Sequence, residues 1–161
     1  MKILGLTKLK TVSLTVVFFV AFDQLTKFWA KNALEDRDLF LFDTKIGFSL
    51  TTNSGGAFSL FQSSTFALTI AASLITIGVA IGIYKSNTRL VIISLSLILS
   101  GALGNLIDRY FQYPYKGHGH VIDFIKFYSF PTFNIADSCV VIGGFLLVYS
   151  SFRSQGEVEE E

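Results

Sequence analysis

The stretch TVSLTVVFFVAFDQLTKFWA, residues 11–30, is long and apolar enough to cross a membrane as one helix, which makes this a membrane protein. Three lysines precede it, as in the basic segment of a secretory signal peptide. The small-residue A-x-A cleavage pattern is missing, and the charged residues Asp23 and Lys27 follow its apolar part. We therefore interpret it as an uncleaved membrane span.

Three further apolar stretches follow, and each is close to the ~20 residues that a transmembrane helix needs. They cover about residues 66–84, 90–107 and 135–152. A chain in lipid must satisfy its own backbone hydrogen bonds, so we expect helices. The chain is 51% hydrophobic with a formal net charge of +1, and it has no basic patch typical of nucleic-acid-binding proteins. The sequence predicts one membrane domain, residues 1–153, followed by an acidic, solvated and disordered tail, residues 154–161.

The two longer loops join alternate spans and therefore lie on the same side of the membrane. The first, about residues 31–65, shows partial period-two alternation around Phe40–Phe61 and a turn at Asn53–Gly56, which indicates short strands. The second, about residues 110–133, is rich in aromatic residues and is expected at the membrane interface. The predicted fold is a membrane all-α, four-transmembrane-helix bundle with a small extramembrane β element and an interfacial loop or helix on its outer face.

Basic residues in the short flanks set the orientation of the spans. Lysines precede the first span, Lys85 and Arg89 lie between the second and third spans, and Arg153 follows the fourth. This pattern favours a cytoplasmic position for both termini. Trp29 then falls in the outer interfacial belt, where tryptophan is enriched.

Polar residues occupy the outer ends of three spans and the second outer loop. They are Asp23, Lys27, Asn105, Asp108, Arg109, Asp123, Asn134 and Asp137. Alternation of an even number of spans places all of them on one face, whichever way the protein is inserted. Ionisable residues are costly at membrane depth and mark functional sites, so we predict a site at this face.

Two of the acids have a cation close by in the sequence. Asp23 and Lys27 are four residues apart on a helix and can face each other, and Asp108 adjoins Arg109. A basic partner favours an ionised carboxylate with a structural or orienting role. We therefore interpret both sites as polar clamps at helix ends rather than as catalytic groups.

The other two acids, Asp123 and Asp137, have apolar neighbours and no adjacent cation. Two such acids close together share a proton, and as base and acid they can activate water for attack on a peptide carbonyl. A place for Asp137 in the first turn of a helix, with Asn134 as its N-cap, is the structural alternative. The sequence alone does not show that the two side chains meet.

Other catalytic arrangements fit the sequence poorly. His118 and His120 offer two imidazoles, whereas a zinc site requires more ligands at recognisable spacing. Neither a nucleotide-binding glycine loop nor a serine nucleophile elbow occurs in the sequence. Cys139 lies in an apolar run, where a small buried hydrophobe is the expected role. We predict no metal and no cofactor.

Two classes compete with a protease. A small proton-coupled transporter also uses intramembrane acids, but such proteins place them near the midplane, accessible from both sides. A structural four-span protein has no reason to retain the unpaired Asp123 and Asp137. Glycines are expected to let the helices approach closely within the bundle, although a dimer face is the other interpretation of the Gly78–Gly82 pair. The remaining glycines of this kind are Gly101, Gly104, Gly143 and Gly144.

Five blocks of sequence resemble the bacterial lipoprotein signal peptidase (signal peptidase II) family of intramembrane aspartic proteases. They are Asp23-Gln-Leu-Thr-Lys27, Asn53-Ser-Gly-Gly-Ala-Phe58, Gly101-Ala-Leu-Gly-Asn-Leu-Ile-Asp-Arg109, Val121-Ile-Asp-Phe124 and Phe133-Asn-Ile-Ala-Asp-Ser138. Their order and placement on four spans also match, over roughly residues 20–140. The stretch Tyr110–His120 is a few residues longer than is usual in the family, but the motifs on either side are intact.

The resemblance implies that Asp123 and Asp137 are the catalytic pair. It implies substrate contacts at Asn53, Gly55, Arg109 and Asn134, and supporting roles for Asp23, Lys27, Asn105 and Asp108. A β-cradle and a short helix would cover the site. The implied substrate is a prolipoprotein with a diacylglyceryl-modified cysteine, cut just before that cysteine at the outer face of the bacterial inner membrane. Globomycin-type cyclic peptides are the implied inhibitors, and a monomer is the expected state.

Overall fold

The computed structural model describes residues 2–41, 45–54, 65–112 and 119–159. Within them the elements are α1 (Lys2–Ala33), β1 (Leu39–Phe40), β2 (Ile46–Asn53), α2 (Thr65–Lys85), α3 (Arg89–Phe111), β3 (Val121–Phe127) and α4 (Ile135–Glu159). All four helices are long and apolar enough to cross a membrane. The predicted four-helix membrane bundle with a small β element is therefore confirmed.

Large apolar side chains cover the outside of the bundle. On α1, for example, Leu14, Phe18 and Leu25 are 72%, 62% and 67% exposed. Such a surface suits lipid, which is as apolar as these side chains and gives them no reason to pack against protein. The interior is instead rich in polar groups, and Asp23, Lys27 and others on α1 and α3 are almost fully buried.

The helices extend beyond the spans predicted from hydropathy. α1 begins at Lys2 rather than near Thr11, and α4 continues to Glu159. The predicted disorder from Ser154 is therefore wrong for the backbone of residues 154–159. The physical reason is that hydropathy marks the part in lipid, whereas a formed helix gains one hydrogen bond for each residue added beyond it.

Helix α3 is the centre of the bundle and packs most extensively against α4, then against α1 and α2. Glycine permits the closest approach: a Cβ atom added to Gly101 or Gly143 would lie 2.2 Å or 2.7 Å from a carbonyl oxygen of the facing helix. The expectation of close packing is thus confirmed for these two residues. It is wrong for Gly78 and Gly144, which have no atom within 4 Å of such a Cβ position.

The sheet has the antiparallel order β1-β2-β3. Its third strand comes from the second longer loop, where the sequence predicts an interfacial segment and no strand. β3 pairs with β2, in which an irregularity separates Phe48 from Thr51. One face of the sheet packs on the C-terminal end of α1, where Phe124 of β3 joins Ala30 and Leu34 in a buried apolar cluster.

A short backbone pairing connects β3 to the start of α4. The N–H of Ile125 donates to the carbonyl of Phe133 at 2.8 Å, and the N–H of Phe133 donates back to Ile125 at 3.1 Å. Asn134 and α4 follow directly. This pairing sets the first turn of α4 beside the strand that carries Asp123.

Candidate active site

Asp123 projects from the middle of β3, opposite Thr51 of β2. Its Oδ2 accepts a hydrogen bond from Nδ2 of Asn53 at 3.2 Å. Asn53 pairs with Val121 and is therefore the diagonal neighbour of Asp123, within reach for side chains on one sheet face. The second aspartate oxygen, Oδ1, accepts from Nδ2 of Asn134 at 2.7 Å.

Asp137 lies in the first turn of α4, and Asn134 is the N-cap of that helix. Oδ1 of Asn134 accepts the N–H of Asp137 at 2.8 Å, while Oδ2 of Asp137 accepts the N–H of Asn134 at 3.2 Å. This reciprocal pair is a capping box. The predicted N-cap role of Asn134 is confirmed, and it coexists with a place for Asp137 in the candidate site.

Asn134 brings the two acids together. Its side-chain nitrogen lies near Asp123, and its backbone N–H and side-chain oxygen bind Asp137. Asn105 of α3 approaches from the other side, where its Nδ2 donates to Oδ1 of Asp137 at 2.8 Å. The carboxyl groups of Asp123 on β3 and Asp137 on α4 are thus joined by hydrogen bonds to the amides of Asn134 and Asn105.

Both acids line a single cavity of about 690 Å³. The rest of its polar lining is supplied by Asn53, Asn105, Arg109, Thr132 and Ser138. The apolar wall is formed by Val121, Phe130, Pro131, Phe133, Val140, Val141 and Ile142. An extended apolar ligand with a polar group at one end would fit this distribution.

The environment of Asp123 shifts its acid–base behaviour toward neutral pH. Burial, reinforced by the nearby charge of Asp137, raises the pKa of Asp123 to about 7. Hydrogen bonds from Asn53 and Asn134 and the charge of Lys27 act in the opposite direction and limit the rise. A carboxyl group with such a pKa can both donate and accept a proton at physiological pH.

Arg109 also reaches the cavity, and its side chain is only 7% exposed. Its Nη1 is buried and has no hydrogen-bond partner among the described residues. An unpaired buried donor is costly, which suits a position that binds an acceptor on a ligand.

The pairing predicted between Asp108 and Arg109 is wrong. Neighbouring residues on a helix point about 100° apart, so Arg109 does not face the Asp108 carboxylate. Asp108 is bound instead by Lys27, at 2.9 Å between Oδ2 and Nζ. The predicted Asp23–Lys27 pair is confirmed at 2.8 Å. All three charged side chains are at most 2% exposed, and they lie behind the cavity rather than in its lining.

Gln24, which is half-buried, contacts the same cluster, although the sequence pattern did not single it out. Its Nε2 lies 3.2 Å from Oδ2 of Asp23 and 3.2 Å from Oδ1 of Asp108. Its position beside Asp23, in the block Asp23-Gln-Leu-Thr-Lys27, was the available signal. Two other positions of interest, Gly55 and His118, lie outside the described residues. No helix occurs in the described part of the first outer loop, so the implied short helix is not seen there.

Comparison with known proteins gives a consistent result. Residues 15–153 match the family model described as "Signal peptidase (SPase) II". The "Lipoprotein signal peptidase" of Clostridium novyi (strain NT) is 39% identical over 148 residues, which cover 87% of this chain and 96% of that protein. The protein of the same name from Mycobacterium leprae (strain Br4923) is 40% identical over 134 residues. That match covers 80% of this chain and 65% of the longer relative.

Two solved structures have the same fold. Both are described as bacterial membrane enzymes studied by the in meso method. One has a TM-score of 0.80 and 28% identity, covering 94% of this chain and 93% of its own. The other has a TM-score of 0.74 and 30% identity, covering 88% and 92%. With four membrane-type helices and a family match over most of its length, the chain belongs to the signal peptidase II family.

Proposed function

We propose that this protein is a lipoprotein signal peptidase, an aspartic endopeptidase that removes the signal peptide from diacylglyceryl-modified prolipoproteins. The observation that carries the proposal is the arrangement of the acids. Asp123 and Asp137 share Asn134 and line one cavity, whereas Asp23 and Asp108 are paired with Lys27 behind it.

The proposed chemistry needs only water and the two aspartates. One carboxylate takes a proton from water as the water oxygen attacks the scissile carbonyl carbon, and the other carboxyl group donates its proton to the carbonyl oxygen. The first acid then protonates the leaving nitrogen as the C–N bond breaks, and the second recovers a proton from the tetrahedral hydroxyl. Asp123 suits the initial proton-bearing role because its pKa is raised to about 7.

The cavity suits a substrate that lies in the bilayer. Its α4 wall includes Val140, Val141 and Ile142, which are 38%, 55% and 53% exposed on the lipid side of the bundle. A lipid-anchored peptide can therefore approach along α4 and place its scissile bond near the polar end of the cavity. Arg109 and Asn53, which line that end, are the proposed contacts to the peptide backbone.

The proposal includes a location and a set of partners. The protein would lie in the bacterial inner membrane with both termini in the cytoplasm and the site near the outer face. Its substrates are prolipoproteins cut just before the lipidated cysteine, and globomycin-type cyclic peptides are its proposed inhibitors. We propose a monomer that requires no metal or cofactor.

The test is cleavage of a diacylglyceryl-modified prolipoprotein by the purified protein in detergent, with mass spectrometry of both products. Asp123→Asn and Asp137→Asn should each lower the rate by about 10³-fold or more, which corresponds to several kcal/mol of lost transition-state stabilisation. Asp36→Asn, at an exposed acid of the outer loop, is the matched control and should retain the wild-type rate.

Each contrary outcome identifies a different error. Equal cleavage of the unlipidated precursor would show that the lipid is not part of the recognised substrate. Retained activity in the Asp123→Asn or Asp137→Asn variant would contradict the aspartic protease mechanism. A wild-type protein that does not cleave the precursor but carries protons across vesicle membranes would favour the alternative function, a small proton-coupled transporter.

A further inference from the structure

The residue directly before each proposed catalytic aspartate is held by a buried carboxylate. The backbone N–H of Ile122 donates to Oδ2 of Asp108 at 3.1 Å, and Asp123 follows. The backbone N–H of Ala136 donates to Oδ1 of Asp23 at 2.8 Å, and Asp137 follows. The two carboxylates are 0% and 1% exposed and do not line the cavity.

One ammonium group joins these two carboxylates. Nζ of Lys27 lies 2.8 Å from Oδ2 of Asp23 and 2.9 Å from Oδ2 of Asp108. Its third contact is Oδ1 of Asn105 at 3.0 Å. An ammonium has three donors and no acceptor, so these three contacts use its whole hydrogen-bonding capacity.

The contact with Asn105 leads directly to the candidate site. Because Lys27 holds Oδ1 of this amide, its Nδ2 is turned toward Asp137, to which it donates at 2.8 Å. Reversal of the amide would place an oxygen against the carboxylate of Asp137. Lys27, with Nδ2 of Asn134, which donates to the same oxygen at 3.1 Å, thus sets which end of the Asn105 amide faces that acid.

We propose that Lys27 is a positioning residue that fixes the spacing of Asp123 and Asp137, through Asp108, Asp23 and the amide of Asn105. The effect of this role on catalysis rests on the proposed function. The alternative is that Lys27 only neutralises two buried acids, as any buried ion pair does. Gln24 also spans both carboxylates, but at 3.2 Å and without a charge.

The two roles separate in a charge-balanced variant. Lys27→Met alone leaves two buried carboxylates without their cation and is expected to lose stability as well as rate. Adding Asp23→Asn and Asp108→Asn removes the unpaired charges, and each new amide keeps a carbonyl oxygen for the N–H of Ala136 or Ile122. We expect this triple variant to fold, but its kcat should remain about 10²-fold below that of the wild type. This is the cost of displacing a catalytic group by about 1 Å.

The split between kcat and KM distinguishes positioning from substrate binding. Lys27 does not line the cavity, so KM should change little in the triple variant. Lys8→Met is the matched control, because Lys8 joins α1 to the carbonyl of Tyr84 at the far end of α2, at 2.8 Å. It should lower the melting temperature without changing kcat. Recovery of wild-type kcat by the triple variant would overturn the proposal.

A crystal structure of the triple variant gives a readout independent of activity. We expect the separation between the carboxyl carbons of Asp123 and Asp137 to differ from the wild-type value by about 1 Å. An unchanged separation would overturn the positioning role even if the wild-type protein cleaves prolipoproteins. A changed separation in a protein that cleaves nothing would uphold the positioning role and reject the proposed function.

Discussion

The side-chain nitrogen of Asn134 lies 2.7 Å from Oδ1 of Asp123, and this contact joins the start of α4 to β3. The other end of the same amide caps α4 through the N–H of Asp137. One residue therefore stabilises a helix with its oxygen and binds an acid of the candidate site with its nitrogen. The two roles use different atoms and can be separated by mutation.

Asn134→Ser and Asn134→Ala separate them. Serine retains an N-cap oxygen but removes the donor to Asp123, so kcat should fall by about 10-fold to 100-fold, the value of a hydrogen bond to a charged group. Alanine should lose the same activity and about 1 kcal/mol more of folding stability. Steady-state kinetics and thermal unfolding measure the two effects. A serine variant with wild-type kcat would show that the nitrogen has no role in the reaction.

Gly104 is predicted to be intolerant of a single methyl group. A Cβ atom there would lie 2.7 Å from Oδ2 of Asp23 and 3.1 Å from Cβ of Ala136, where α1, α3 and α4 meet. Overpacking of this kind costs about 1–3 kcal/mol, so Gly104→Ala should lower the melting temperature and the rate together.

Gly144→Ala on α4 is the control for that substitution. The space around its Cβ position is open, and alanine has a helix propensity better than that of glycine by about 1 kcal/mol. Its melting temperature should therefore be unchanged or higher, with activity retained. Equal losses in the two variants would mean that glycine matters for α3 and α4 in general rather than for the contact with Asp23.

The large-scale features of this fold follow from the sequence because the bilayer restricts the choices. Apolar stretches of about 20 residues must be helices, and their alternation places Asp23, Asn105, Asp123 and Asp137 on one face. β3 was not predicted, since it pairs with β2 more than 60 residues earlier and this pairing is not encoded locally.

Individual partners were harder to predict than the face that holds them. Adjacency in sequence favoured Arg109 as the partner of Asp108, but helical geometry turns the two side chains apart and Lys27 arrives from α1. The meeting of Asp123 with Asp137 likewise depends on the backbone pairing of Ile125 with Phe133. Contacts between elements require the tertiary arrangement, which single-sequence patterns do not contain.

Chelation tests the prediction of a metal-independent reaction. Within the described residues, no three histidine, cysteine, aspartate or glutamate side chains are grouped as metal ligands. EDTA should therefore leave the cleavage rate unchanged, and elemental analysis should find no stoichiometric zinc. Strong inhibition that zinc reverses would contradict this, and loss of the effect in a His118→Ala, His120→Ala variant would locate the metal in the second outer loop.

The raised pKa of Asp123 predicts how stability depends on pH. An unfolded aspartate titrates near pH 4, whereas burial raises the pKa of Asp123 to about 7 in the folded protein. Between these values the folded state binds more protons, so the contribution of Asp123 to stability is full below about pH 4 and declines as pH rises through 7. Asp123→Asn should flatten the unfolding free energy across this range. An unchanged slope in that variant would assign the pH dependence to other groups.

The raised pKa of Asp123 also predicts how kcat changes at alkaline pH. If protonated Asp123 donates to the scissile carbonyl, kcat should fall as pH rises through about 7, with an apparent pKa that belongs to the pair. Asn53 stabilises the ionised form by donating to Oδ2 at 3.2 Å. Asn53→Ala should therefore move this decline to higher pH, measured as kcat between pH 5 and about 9. If kcat instead rises as pH rises through about 7, and Asn53→Ala moves that rise to higher pH, ionised Asp123 is the active form and the acid and base roles are reversed.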